Sequence, residues 1–230
     1  MTTLGLLNGP CSPVRPQDIT EGICAAIQDM LIQGQLALGS RLPEVELSSQ
    51  LGVSRPSLRE AFRILQQQGL ISIEPRKGAT VMHASSEDLH ALCEYRACLE
   101  DMAIRIALPK LCETDYSRLE MYVSLMSVAA QASDTMAILE ADMNFHQLIY
   151  DKCDNPYLLA ALKGLSPKVR VYSFIYRKKH SQFVMTWERH QRLLAAYRSG
   201  DVEVAATANR HHVMVDSLGG SLEFLEHRHG

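Results

Sequence analysis

The chain has no pair of cysteines at CxxC spacing, no excess of either charge, and no apolar run approaching the roughly 20 residues of a membrane span. Each absence removes a class of function. Six cysteines scattered through 230 residues fall far short of a secreted disulfide framework. They read as reduced thiols in a cytoplasmic protein, each a small buried apolar residue by default. The opening MTTLGLLNGPCSPVRP lacks a basic segment followed by a long apolar core. No secretory signal is expected, and residues 1–14 read as a flexible tail. A formal net charge of −3 provides no overall field for nucleic acid or membrane. A nucleic-acid site must therefore come from local clustering. No internal repeat is evident, and the hydrophobic fraction of 47% suffices for a packed core.

What is present divides near residue 84. Ile19, Ile23, Ala26, Ile27, Met30 and Leu31 recur at helical spacing. QGQLALGSRLP then breaks the helix, EVELSSQL forms a short second helix, and Gly52 supplies a corner that tolerates positive φ. A third helix follows in LGVSRPSLREAFRILQQQGLI, with Arg55, Arg59 and Arg63 at four-residue intervals beside Leu58, Ala61, Phe62 and Leu65. Ser54 can cap it, with Pro56 tolerated in the first turn; Ser57 with Glu60 offers an alternative capping box one turn later. Ile71, Ile73, Ala79 and Val81 flank a PRKG turn and predict a β-hairpin. Three helices and a basic-tipped hairpin over residues 15–83 form a winged helix-turn-helix pattern.

From Arg55 to Lys77, five basic residues face two acidic ones. Arg55 and Arg59 lie in the first turns of the third helix, where a side chain can reach a guanine edge in the major groove. Ser54 and Ser57 can donate to phosphate or base, and Arg76 and Lys77 sit at the hairpin tip. The bland alternative is a solvated arginine face paired with Glu60 or Glu44. The segment GQLALGSRLPEVELSSQLGVSRPSLREAFRILQQQGLISIEPRKGATV closely resembles the DNA-binding domain of the GntR family of bacterial transcription regulators. The resemblance runs over about residues 18–83 and implies DNA contacts from Arg41, Arg55 and Arg59. It also implies a wing whose backbone approaches DNA at Gly78. Fatty-acid-responsive relatives carry a basic residue where this chain has Val45, so a contact from that position is missing.

Beyond Ser85 the pattern is all-helical, with about six helices expected over 86–109, 114–132, 134–152, 156–179, 182–198 and 201–225. Four apolar stripes carry groups that do not belong in a dry core. They are Leu89, Leu92, Arg96, Leu99, Ala103 and Ile106; Leu139, Met143, His146 and Tyr150; Phe183, Trp187, His190, Leu194 and Tyr197; and Ala205, Ala208, His212 and Val215. Buried ionic groups need partners. Asp142 and His146, one helical turn apart, form a chelating pair that His190 and His212 would complete. Periodicity does not choose His212 over His211, and any one of these histidines could be an ordinary core residue. Arg96 could clamp a ligand carboxylate or simply pair with Glu100. Tyr95, Tyr150, Tyr172, Tyr176, Arg170, Trp187 and Asn209 could line the cavity. His227 and His229 read as solvated.

EYRACLEDMAIRIA, ADMNFHQLIY, ERHQRLLAAYRSGDVEVA and NRHHV resemble the effector domain of the FadR-type branch, the FCD domain. The resemblance covers nearly all of residues 86–220. It implies that Asp142, His146, His190 and His212 hold a divalent transition metal and that Arg96 lies near an effector carboxylate. Asn209 and Tyr150 join Arg96 as effector-binding candidates. The donor set suits zinc, nickel, cobalt, iron or manganese and does not choose between them; zinc is the first expectation. Six helices point to the shorter, VanR-like subgroup. The expectation is a mainly α protein: a tail over 1–14, a winged helix-turn-helix over 15–83, and a helical effector-binding and dimerisation domain over 84–230. Its expected role is that of a metabolite-responsive regulator, more a repressor than an activator. It would bind a near-palindromic double-stranded DNA operator as a homodimer in the cytoplasm, away from membranes. The competing readings are a metal-dependent enzyme, for which Glu100 and Glu140 are undistinguished candidate bases, and a regulator without metal.

Overall fold

The N-terminal part turns on a glycine corner. In the computed structural model, which describes residues 16–83, 85–179 and 186–216, the helix α2 (Glu44–Leu51) ends at Gly52 with φ +66°. That left-handed conformation costs a glycine little and lets its N–H bond back to the last turn. Helix α3 (Arg55–Gln67) starts immediately afterwards. Its cap is Ser54, whose Oγ accepts from the Ser57 N–H at 3.2 Å. The earlier of the two expected starts is therefore the one formed, with Ser57 inside the helix.

Helix α1 (Pro16–Ile32) packs Ile23, Ile27 and Leu31 against the buried face of α3, formed by Leu58, Ala61, Phe62 and Leu65. Ile19, expected on that stripe, is 47% exposed. The expected hairpin is formed by β2 (Ile71–Glu74) and β3 (Gly78–Val81), with Ile71 opposite Val81 and Glu74 opposite Gly78. A third strand was not expected. The two residues of β1 (Arg41–Leu42) pair antiparallel with β3, giving the order β1-β3-β2. Two residues carry no readable period. Gly39, at φ +76°, brings the chain to this edge, and a Cβ there would lie 2.2 Å from the His83 ring.

Among the described residues, six α-helices follow: α4 (Ser86–Ala107), α5 (Glu113–Gln131), α6 (Thr135–Asp151), α7 (Pro156–Lys179), α8 (Thr186–Arg198) and α9 (Val202–His211). Three of their starts are capped by side chains. Ser85 and Asp88 form a reciprocal capping box on α4, and Asp134 and Asp201 cap α6 and α9. Pro109 closes α4 through a short 3₁₀ turn at Leu108–Lys110. The last expected helix, drawn as one element over 201–225, leaves the α form after His211 and continues as a π turn over His212–Asp216. The expected tail over 1–14, Phe183, the start of the fifth expected helix, and His227 and His229 lie outside the described residues.

Among the described residues, two apolar clusters form the core. One lies wholly within the helical part and includes Ile104, Leu119, Met126, Phe145, Leu193 and Tyr197. The other crosses the expected boundary near residue 84: it joins Ile27, Leu31, Phe62 and Leu65 to Leu89, Cys93, Ala97, Val171, Tyr172 and Phe174. Helix α7 thus contacts α1 directly, and Arg170 Nη2 lies 3.1 Å from Asp29 Oδ1 across that contact. No helix is long and apolar enough to cross a membrane among the described residues.

Two stability predictions follow from this arrangement. Phe62 is 1% exposed, so Phe62→Ala is expected to destabilise the protein by about 3–5 kcal/mol in urea denaturation. Asp115 accepts from the Cys112 backbone N–H and pairs with Lys152, which together hold its carboxyl pKa down at about 2. A depressed carboxyl contributes stability above its ordinary pKa and loses it as pH falls toward 2. Asp115→Asn should cost about 1–2 kcal/mol at neutral pH. The gap between the two proteins should narrow as denaturation is repeated from pH 4 downwards.

Candidate metal centre and nucleic-acid interface

Helix α6 carries Asp142 and His146 on the same buried face, one turn apart. Helix α8 brings His190 to them, and the π turn after α9 brings His212. All four are buried, and one donor atom from each lies within 4.8 Å of all the others. His190 Nε2 stands 2.8 Å from Asp142 Oδ1 and 3.4 Å from His146 Nε2, while His146 Nε2 is 4.0 Å from Asp142 Oδ1. Tetrahedral ligands at zinc bond lengths are separated by roughly 3.4 Å, within the span of these distances. The donor chemistry fits as well. His190 Nδ1 lies 2.8 Å from the Thr186 carbonyl, which accepts from it and leaves the Nε2 lone pair facing the cluster. Phe145 sets its edge against both His146 and His190 and restricts their rings. His211 is exposed and His212 buried, and it is His212 that stands with the other three groups.

Beside this group runs a second polar set. Arg96 is 5% exposed and its Nε donates to Glu100 Oε1 at 2.5 Å. Tyr150 Oη donates to the same oxygen at 2.5 Å, and Asn209 Nδ2 donates to Glu100 Oε2 at 3.2 Å. Burial penalises the Arg96 charge, but Glu100, Tyr150 and Asp142 raise its pKa above the ordinary arginine range. Burial pushes the Tyr150 hydroxyl well up, reinforced by Glu100, so it remains a donor. Arg96, His146 and Tyr150 form one wall of a cavity whose other wall is Met143 from α6 and Leu162, Leu165, Ser166 and Val169 from α7, apolar apart from the serine. The cavity leaves the centre of a water molecule about 10 Å³, room for a single water.

Some expected residues lie elsewhere. Tyr95 is 52% exposed on the outside of α4, and Arg170 faces Asp29 on α1. Tyr172 belongs to the core shared with the N-terminal part, and Trp187 packs on the helical core. Asn209 reaches the site through Glu100 and does not line the cavity. Glu140 is exposed. Glu100 is the residue that sequence reasoning undervalued. The buried stripe of α4 is centred on Cys93, Ala97, Glu100, Ile104 and Ala107, while Leu92, Leu99 and Ile106 are only partly buried. Small residues gave that face a weak hydrophobic signal, and the larger leucines pulled the expected stripe to one side.

On the N-terminal part, Arg55 and Arg59 are 55% and 57% exposed and share Glu44, at 3.8 Å and 2.8 Å. Arg63 pairs with Glu60. Arg41 is exposed on β1, and Ser54 is exposed with its Oγ 2.8 Å from Ser57 Oγ. At the wing tip Arg76 has φ +68° and Gly78 φ +85°, with open space where a Gly78 side chain would lie, and Lys77 pairs with Glu74 at 2.6 Å. Val45 is 58% exposed on α2, so its position is accessible but uncharged.

Comparison with known families matches the bacterial regulatory proteins of the gntR family to residues 19–81 and the FCD domain to residues 91–214. The chain belongs to the GntR family, with an FCD domain. Among similar GntR-family proteins is one named "Probable D-xylose utilization operon transcriptional repressor" from Paenarthrobacter nicotinovorans, 28% identical over 83% of this chain and 85% of that protein. The HTH-type transcriptional repressor RspR of Escherichia coli (strain K12) is 25% identical over 86% of each chain. The fold is shared with E. coli McbR/YncC, with a TM-score of 0.72 over 92% of this chain and 99% of that one at 23% identity. A GntR regulator from Rhodococcus sp. RHA1 has the same TM-score over 87% and 96% at 22% identity. These families and relatives regulate transcription and are not enzymes.

The centre makes a direct prediction. Zinc titrated against a chromophoric chelator should fill one site per chain, and His190→Ala or Asp142→Ala should empty it. Absence of uptake by the unaltered protein would return the three histidines to the role of hydrogen-bonded core residues.

Proposed function

We propose that this GntR-family chain is a metabolite-responsive repressor that binds a near-palindromic DNA operator as a homodimer. In this reading it works in the cytoplasm, with residues 15–83 as the DNA-binding unit, 84–230 as the effector-binding and dimerisation unit, and 1–14 as a tail. A small carboxylate modulates DNA binding from the helical domain. Asp142, His146, His190 and His212 would hold a divalent metal, zinc first, with nickel, manganese or iron as alternatives. When bound, the metal supplies a Lewis-acidic centre for a carboxylate oxygen. Arg96 and Tyr150 would orient the effector, and Asn209 would steady them through Glu100.

The observation that carries this reading is the double use of α7. Leu162, Leu165 and Val169 wall the cavity beside Arg96 and His146. Val171, Tyr172 and Phe174, a few residues on, belong to the core shared with α1 and α3. The cavity has room for about one water, so a carboxylate of several heavy atoms would shift a wall, and α7 is a wall helix that packs directly on α1. An effector acts only through a difference in affinity between DNA-competent and DNA-incompetent arrangements. Two relatives named as repressors support the sign of regulation.

On the DNA side, Arg55 and Arg59 would read base edges and phosphate from α3. Ser54, Ser57 and Arg41 would flank them, and Arg76, Lys77 and Gly78 would place the wing. Their ion pairs with Glu44 and Glu74 do not oppose this. Exposed pairs contribute about 0–1 kcal/mol and exchange readily for phosphate. Two-fold symmetry of the dimer would impose the near-palindrome. Arg55→Ala and Arg59→Ala are each expected to weaken specific binding about 10–100-fold in gel retardation with DNA upstream of the protein's own gene. Specific binding that neither substitution weakens would sink the regulator reading of α3.

A further inference from the structure

Glu100 is buried at 2% exposure, and its two oxygens face opposite halves of the site. Oε1 accepts from Arg96 Nε and Tyr150 Oη, both on the cavity wall. Oε2 accepts from Asn209 Nδ2 and faces His146 Nδ1 at 3.5 Å. The Asn209 amide has its orientation set from its other end, because Tyr197 Oη donates to Asn209 Oδ1 at 2.6 Å. That leaves the Asn209 NH₂ for Glu100. Asn209 donates to Oε2, and His146, whose Nδ1 stands 3.5 Å from it, can donate there only with its proton on Nδ1.

We propose that Glu100 is the positioning residue of the metal centre: it holds the His146 proton on Nδ1 and so turns the Nε2 lone pair toward Asp142 and His190. The proposal rests on the metal reading above and adds to it a residue that is not among the four donors. Metal-bound histidines characteristically give their second ring nitrogen to a carboxylate or carbonyl, which fixes the tautomer and the ring angle. His190 has the Thr186 carbonyl for this purpose. For His146 the facing group is Glu100. The same carboxylate neutralises Arg96, so one side chain serves both the donor cluster and the cavity wall.

Glu100→Gln separates this role from a simple structural ion pair. The variant has nearly the same volume, but only one of its two terminal atoms accepts. The Oε1 side must keep oxygen to receive Arg96 and Tyr150. The amide NH₂ then faces the Asn209 NH₂, which cannot accept, and His146 Nδ1, so it is satisfied only if that nitrogen accepts. The His146 proton moves to Nε2, the atom the metal needs.

The test is zinc affinity of the full chain by chelator competition, in the wild type, in Glu100→Gln and in Leu119→Ala. Leu119 is fully buried on α5 in the helical core and serves as the control for lost stability. The expected result is a 10–100-fold loss of zinc affinity in Glu100→Gln with little change in Leu119→Ala. Wild-type affinity in Glu100→Gln, or equal losses in both variants, overturns the proposal. A wild-type protein that takes up no zinc overturns the metal reading and this one with it. Should Glu100→Gln fail to fold, ¹⁵N–¹H correlation of the imidazoles in the zinc-free wild type gives the answer directly. A proton on His146 Nδ1 supports the role of Glu100, and a proton on Nε2 overturns it.

Discussion

Burying an arginine, two carboxylates and three histidines inside a helical bundle is costly unless each satisfies another, and this constraint organises the C-terminal two-thirds of the chain. Arg96 and Glu100 lie one turn apart on α4, so their pairing is local and forms with the helix itself. Everything else in the network is long-range. Tyr150 and Asn209 reach Glu100 from α6 and α9, and His146 turns one ring nitrogen toward it and the other toward Asp142. A bundle that brought these helices together in another order would strand at least one charge. The polar set therefore specifies the packing that the apolar stripes by themselves leave loose.

The same helices connect that interior to the nucleic-acid surface. Helix α7 is 24 residues long, with Pro167 in its interior. A proline there removes one helical hydrogen bond and marks a point of easier bending. On one side of the proline lie cavity residues such as Leu162 and Leu165. On the other lie Val171, Tyr172 and Phe174, inside the core shared with the N-terminal part, with Arg170 against Asp29. Because the apolar core runs unbroken across the expected boundary near residue 84, displacement of α7 cannot leave α1 unaffected. Coupling between sites needs a physical element that both ends bias, and α7, which lines the cavity and packs on α1, is one element through which the proposed coupling would run.

Much of the N-terminal part was legible because its signals are local. Ser54 as a cap, Gly52 as a corner, the leucine and phenylalanine stripe of α3 and the paired isoleucines of the wing each act within a few residues. The exceptions are short or depend on distant partners. Strand β1 has two residues, too few for any period, and exists because β3 lies beside it. Ile19 fits the helical stripe but is exposed. In the helical part the donors Asp142 and His146 were readable as a pair at i and i+4. The true face of α4 was not, because Cys93, Ala97 and Ala107 are small and Glu100 is charged, so hydrophobicity pointed to Leu92 and Leu99 instead.

The sequence by itself determined the elements, their caps and breakers, the basic exposed face of α3, and the presence of ionic groups on apolar stripes. These follow from residue spacing, which is set along one chain direction. Only the tertiary structure decided which ionic groups meet. His212 enters the cluster, while His211 is exposed. Arg170 leaves the cavity for Asp29, and Glu100, unremarkable in the sequence, becomes the point where four side chains converge. Such meetings depend on the angle and depth at which separate helices pack, and no spacing within one helix encodes the position of another.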